Sequence, residues 1–160
     1  MRINIHKVCG FTLPELMLSM TLLAFLMVAA ALGIQAAEGS RSYNFEKTDL
    51  TTRARGVLDR LSRDVRRAAS YAMTDSRTVV VTMTNGDTHA YAWDGASGGN
   101  LTYSYTPNGS LVATSAVLTD KVTAFEVTDA NPSLIVRIVL TGTKATSEMC
   151  ISATPRKSLY

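Results

Sequence analysis

The run from Leu16 to Ala37 carries no charged side chain, and it constrains this chain more than any other feature of the sequence. Its 22 residues, LMLSMTLLAFLMVAAALGIQAA, hold only Ser19, Thr21 and Gln35 as polar side chains. Rich in Leu, Met and Ala and free of proline, the run prefers helix. As a helix it extends roughly 33 Å at about 1.5 Å per residue, enough to cross a hydrocarbon core of about 30 Å. A helix buried in a soluble core rarely needs that length, so the run reads as a single membrane span. Charge sets its direction. Arg2, Lys7 and the start amine precede it, while Glu38 and Arg41 balance each other after it. That asymmetry puts the amino terminus in the cytoplasm and exports the rest of the chain.

An ordinary secretory signal is the other reading of such an end. Its apolar core is shorter, about 7–15 residues, and a small-residue cleavage site follows. Ala29-Ala30-Ala31 offers such a site. Against this stands Glu15, a carboxylate at the mouth of the uncharged run. A charge at the edge of a bilayer core is costly and normally has a partner or a purpose. A helix-start carboxylate favoured by the macrodipole is the plain alternative, but it leaves the residues just before Glu15 unexplained.

Those residues are a short basic leader ending in Gly10, followed by Phe11-Thr12-Leu13-Pro14-Glu15. The segment resembles the prepilin leader shared by type IV pilins and by the pseudopilins of type II secretion and DNA-uptake machines. The resemblance covers residues 1–37. It implies that a prepilin peptidase, also a methyltransferase, cuts after Gly10 and methylates the new amino terminus at Phe11. It implies too that Thr12, Leu13 and Pro14 complete the processing motif and that Glu15 is required for ordered assembly with other pilin or pseudopilin subunits. The chemistry is consistent. Cleavage leaves an α-amino cation on Phe11, and the Glu15 carboxylate of one subunit can neutralise that of a neighbour. Pro14 suits a first helical turn. The expected location is the bacterial cytoplasmic (inner) membrane, crossed once, with the exported part incorporated in a pilus or pseudopilus. Two departures from many major pilins point to a minor subunit. The membrane run has no proline, and cleavage would remove Cys9, leaving Cys150 without an intramolecular partner.

After Ala37 comes a polar stretch, EGSRSYNFEKT, in which Gly39 is a point of bending or fraying. From Asp49 a helical period returns. Leu50, Ala54, Val57, Leu61, Val65 and Ala68 form an apolar stripe, widened by Leu58, Ala69 and Ala72. The stripe must bury against something. Asp49–Arg53, Asp59–Arg63 and Arg60–Asp64 are spaced for ion pairs worth about 0.2–0.5 kcal/mol each. Residues 58–69 also resemble the equivalent stretch of minor pilins of the PilW-like class. Six arginines against three aspartates give residues 49–67 a charge of +3. Arg53, Arg60, Arg63 and Arg67 are therefore candidate surface or partner contacts. Nucleic acid is the less favoured partner, because aspartates interrupt the basic face and no aromatic is interleaved for stacking.

From Arg77 the texture turns to short β-rich runs. Expected strands are Thr78–Thr84, Thr88–Trp93, Leu101–Thr106, Leu111–Thr114, Val122–Val127, Leu134–Leu140 and Met149–Ala153. Asn85-Gly86-Asp87 marks a hairpin. Strands beside one amphipathic helix make an α+β domain of pilin-like architecture, a long helix packed on an antiparallel sheet. The expected organisation is leader 1–10, membrane and assembly helix 11–37, amphipathic continuation 38–72 and exported sheet domain 73–160.

Composition removes most catalytic readings. Two cysteines and two histidines exclude a disulfide scaffold and a four-ligand zinc site. There is no phosphate-binding glycine loop and no Gly-x-Ser-x-Gly elbow. We expect no enzyme, no cofactor and no metal. His89 reads as a surface or half-buried histidine, and Cys150 as a buried small apolar residue. Asp94, Ser97 and Asn100 offer oxygens to calcium, but their spacing is not that of an EF-hand. The best-supported function is a structural subunit, a minor pilin or minor pseudopilin that helps initiate or cap a filament. Two alternatives remain. One is a membrane-anchored or secreted β-rich binding or adhesion domain using Tyr91, Trp93, Tyr103 and Tyr105. The other is a DNA-uptake pseudopilin contacting DNA through the arginine-rich helix.

Overall fold

A computed structural model describes residues 12–156. The chain divides into two compact units, Met1–Ser42 and Tyr43–Tyr160. One helix, α1 (Leu13–Arg67), is followed by seven strands: β1 (Ala68–Asp75), β2 (Thr78–Met83), β3 (Thr88–Trp93), β4 (Gly99–Thr106), β5 (Thr114–Ala130), β6 (Ser133–Thr141) and β7 (Thr146–Ala153). The strands form one antiparallel sheet in the order β1-β2-β3-β4-β5-β6-β7. This is the expected α+β arrangement of a long helix with its amphipathic part on an antiparallel sheet.

In the first unit the described part of α1 buries none of its large apolar side chains; Leu16 is 50% exposed and Phe25 75%. The hydroxyls of Ser19 and Thr21 donate to the carbonyls of Leu16 and Leu18, so these polar groups are satisfied within the helix itself. The helix continues through Gly39 without a break, although a glycine there costs about 1 kcal/mol relative to alanine.

In the second unit the helix buries Leu50, Ala54, Val57, Leu58, Leu61 and Val65 against the inner face of the sheet. These are the stripe residues anticipated from the 3.6-residue period. The sheet contributes Val79 and Val81, Tyr91, Leu101 and Tyr103, Phe125 and Val127, and the alternating Leu134, Val136, Ile138 and Leu140 of β6. Burying each of the larger side chains is worth about 1.5–3 kcal/mol.

Three boundaries differ from the sequence reading. The helix ends at Arg67 rather than near Ala72, and Ala68–Asp75 pairs with the valine-rich β2 instead. Strand pairing thus overrides the helix preference of alanine; Ala68 is buried as β1 begins, whereas Ala69 and Ala72 are exposed. Leu111–Thr114 is not a strand of its own. Leu111 and Val112 lie exposed in the β4–β5 loop, and only Thr114 enters β5. β5 is also far longer than Val122–Val127. It pairs with β4 over its first part and with β6 from Val122 onward. Register shifts near Val122 and a positive φ of 61° at Lys121 mark the bend where it changes partner.

Candidate functional site

The carbonyl of Thr12 accepts the first helical bonds, from the N–H groups of Glu15 and Leu16, each at 3.1 Å. Leu13 and Pro14 fill the opening positions, where the missing N–H of proline costs nothing. Glu15 sits in the first turn, exposed, with no ion-pair partner among the described residues. Its charge complements the helix dipole there. Gly10 and Phe11, the expected cleavage and methylation residues, lie outside the described residues. Beyond Glu15, α1 is long and apolar enough to cross a membrane, with a mean hydropathy of 2.3 over its best 18-residue window and none of that window buried.

The four arginines singled out on the second half of α1 have separate fates. Arg53 bonds Asp49 at 3.0 Å and, across to β5, Asp120 at 2.9 Å. Hydrogen bonding to Asp49 is the main cause raising its pKa above the ordinary arginine value. Arg60 does not pair with Asp64; its guanidinium lies 3.9 Å from the Tyr103 ring centroid. Arg63 is likewise not ion-paired to Asp59. It lines a groove with Arg66, Arg67 and Arg156. Of the three expected helical ion pairs, only Asp49–Arg53 forms.

Asp64 instead faces the sheet. The Tyr91 hydroxyl donates to its Oδ2 at 2.6 Å, and His89 Nδ1 lies 3.2 Å from the same oxygen. His89 Nδ1 is also 2.8 Å from the Tyr103 hydroxyl. Burial, then the bond to the Asp64 carboxylate, holds the Tyr91 phenol well above its ordinary pKa. Sequence reading missed this cluster. Its signal was present in Asp64 at the margin of the apolar stripe and in the alternation of His89 with Tyr91. The cluster is a structural fastener: Tyr91 is fully buried, Tyr103 nearly so, and Trp93 and Tyr105 pack against the core. These four aromatics therefore do not form an exposed ligand platform.

One further expectation is corrected. Cys150 is exposed, because it sits on the outer face of β7 opposite Arg137. The Asp94 carboxylate accepts the N–H groups of Ala96 and Asn100, which makes it a loop brace. Among the described residues no group of three His, Cys, Asp or Glu side chains is placed to hold a metal.

Residues 5–31 match the family described as Prokaryotic N-terminal methylation motif. The chain carries a prepilin-type methylation motif. The matched segment spans Gly10 through Glu15 and much of the apolar run. No curated protein and no solved structure matched the chain.

Proposed function

We propose that this protein is a minor pilin or minor pseudopilin, a structural subunit rather than an enzyme. The observation that carries the reading is the pairing of a methylation motif over residues 5–31 with a helix that buries nothing in its first half. A helix apolar on every side needs lipid or other helices around it. In this reading a prepilin peptidase cleaves after Gly10 and methylates Phe11. The exposed Glu15 then neutralises the Phe11 amine of a neighbouring subunit. The span holds the precursor in the inner membrane, amino terminus inside, and the sheet domain is exported. The proline-free span and the absence of a second cysteine in the mature chain favour a minor subunit, one that initiates or caps a filament.

Mass spectrometry of the mature protein from membranes tests this directly. The expected amino terminus is N-methylated Phe11, and conversion of Gly10 to a bulky residue leaves the precursor uncut. An amino terminus after Ala31 would instead identify an ordinary export signal.

A further inference from the structure

We propose that Arg41, Tyr43, Phe45 and Lys47 form a collar that seats α1 in the anionic headgroup layer on the exported side of the membrane. This rests on reading the first stretch of α1 as a membrane span. Tyr43 and Phe45 are 40% and 79% exposed, whereas the large apolar side chains of α1 from Leu50 onward are buried. The stripe that packs on the sheet therefore leaves these two aromatics out. They are two residues apart, so at about 100° per residue they stand on nearly opposite sides of the helix. Lys47 follows Tyr43 by one turn, and its Nζ lies 5.9 Å from the Tyr43 ring centroid. Arg41 precedes Phe45 by one turn, the spacing of neighbours on a helix surface. Each side of the helix thus carries an aromatic and a cation. Neither cation is ion-paired to a carboxylate among the described residues. Glu46, the nearest carboxylate in sequence to Lys47, is turned to the N–H groups of Thr143 and Lys144.

The arrangement selects a surrounding layer over a docked surface. A single partner surface covers one side of a helix, and aromatics on both sides call for a medium that encloses it. Aromatic side chains gather at the membrane–water interface, and cations beside them meet the phosphates of anionic lipid. The position agrees. Tyr43 and Phe45 fall six and eight residues after Ala37, where the uncharged run ends. Eight residues rise about 12 Å. The headgroup layer adds roughly 5–8 Å beyond the hydrocarbon core. Helical side chains lean toward the amino terminus, here the bilayer side, and close the remaining gap. Lys47 lies back over Tyr43 in this sense. The collar is thus continuous with the apolar span and opposite in charge to anionic lipid. It also fixes depth: sliding inward drags two cations into hydrocarbon, and sliding outward exposes the apolar run to water.

The test uses the full chain in vesicles of two parts phosphatidylcholine to one part phosphatidylglycerol. The vesicles also contain lipid with a nitroxide quencher at either the headgroup or mid-chain. Trp93 is the only tryptophan, so one placed elsewhere is read as the difference from wild type. Leu26→Trp, near the middle of the uncharged run, should be quenched best by the mid-chain label. Phe45→Trp should be quenched best by the headgroup label. That preference should shrink when Arg41→Gln and Lys47→Gln are added, and in phosphatidylcholine alone. If Leu26→Trp escapes quenching, the membrane reading itself fails, and the collar with it. If Leu26→Trp is quenched as expected, the span stands, and three results overturn the collar alone. Phe45→Trp quenched best at mid-chain would place the residue in hydrocarbon. Phe45→Trp with blue-shifted emission and no quenching would assign it to a neighbouring subunit. Headgroup quenching indifferent to both glutamines and to anionic lipid would remove the anionic headgroup as the occupant.

Discussion

The two stretches of α1 solve opposite problems with the same backbone. Residues 13–42 are apolar around most of the helix and leave every large apolar side chain exposed. Residues 50–65 confine their large apolar side chains to a stripe that is buried against the sheet, with arginine and aspartate elsewhere. The difference lies in where the covering partner comes from. A stripe with a polar remainder is covered from within the chain, and a helix without a polar face is covered from outside. One stretch is therefore tuned for folding and the other for insertion and assembly.

Cavity mutants should break the symmetry between them most visibly. Leu61 is fully buried, whereas Leu23 is 54% exposed. Leu61→Ala should cost about 2–5 kcal/mol of the sheet domain's stability. Leu23→Ala should change it by no more than about 0.5 kcal/mol. Chemical unfolding of the full chain in non-ionic detergent, followed by Trp93 fluorescence, measures both. An equal loss at the two positions would mean that the first stretch is also part of a folded core.

What the sequence disclosed follows the same division. The stripe from Leu50 to Val65 was legible because one-sided burial writes a 3.6-residue period into the residue types. The alternation of Leu134, Val136, Ile138 and Leu140 was legible for the equivalent reason in a strand. The β2–β3 hairpin was announced by Asn85-Gly86, and Gly86 does adopt φ 89° there. What escaped were features set by contacts between distant residues. β5 changes sheet neighbours at a bend, so its two parts carry no common pattern. Arg60 and Asp64 are spaced as a helical pair, yet each has a better partner on the sheet. Arg156 lies in a region whose local sequence gives no sign of the arginines it joins. The methylation motif matched over residues 5–31 was legible because it is written in local sequence and needs no contact between distant residues.

The Asp64 cluster offers a second and smaller way to sharpen the comparison. Tyr91→Phe keeps the ring and removes the hydroxyl that donates to Asp64. A half-buried carboxylate then loses a short hydrogen bond, and the expected cost is about 1–3 kcal/mol. Tyr43→Phe, at the start of the second unit and 40% exposed, should be nearly silent in the same unfolding assay. If the two variants behave alike, Asp64 is satisfied by His89 and water, and the fastener reading fails.

The smallest effect tests how α1 is tied to the far end of the sheet. The Glu46 carboxylate accepts the N–H groups of Thr143 at 2.7 Å and Lys144 at 2.8 Å, capping the β6–β7 turn. Gly142 completes the fit, since a Cβ there would run into the Glu46 side chain. These bonds, that from Thr143 first, hold the Glu46 pKa below its ordinary value of 4.5. A depressed folded-state pKa means that the unfolded chain binds a proton more readily. The resulting stability is fully present above pH 4.5 and is lost as the pH falls through the lower folded-state value. Glu46→Gln should therefore unfold at a lower temperature than the wild type at pH 7, and the gap should narrow as the pH approaches 3. Thermal melts at the two pH values read the difference, and a gap that stays constant would show that the Glu46 charge does not brace the turn.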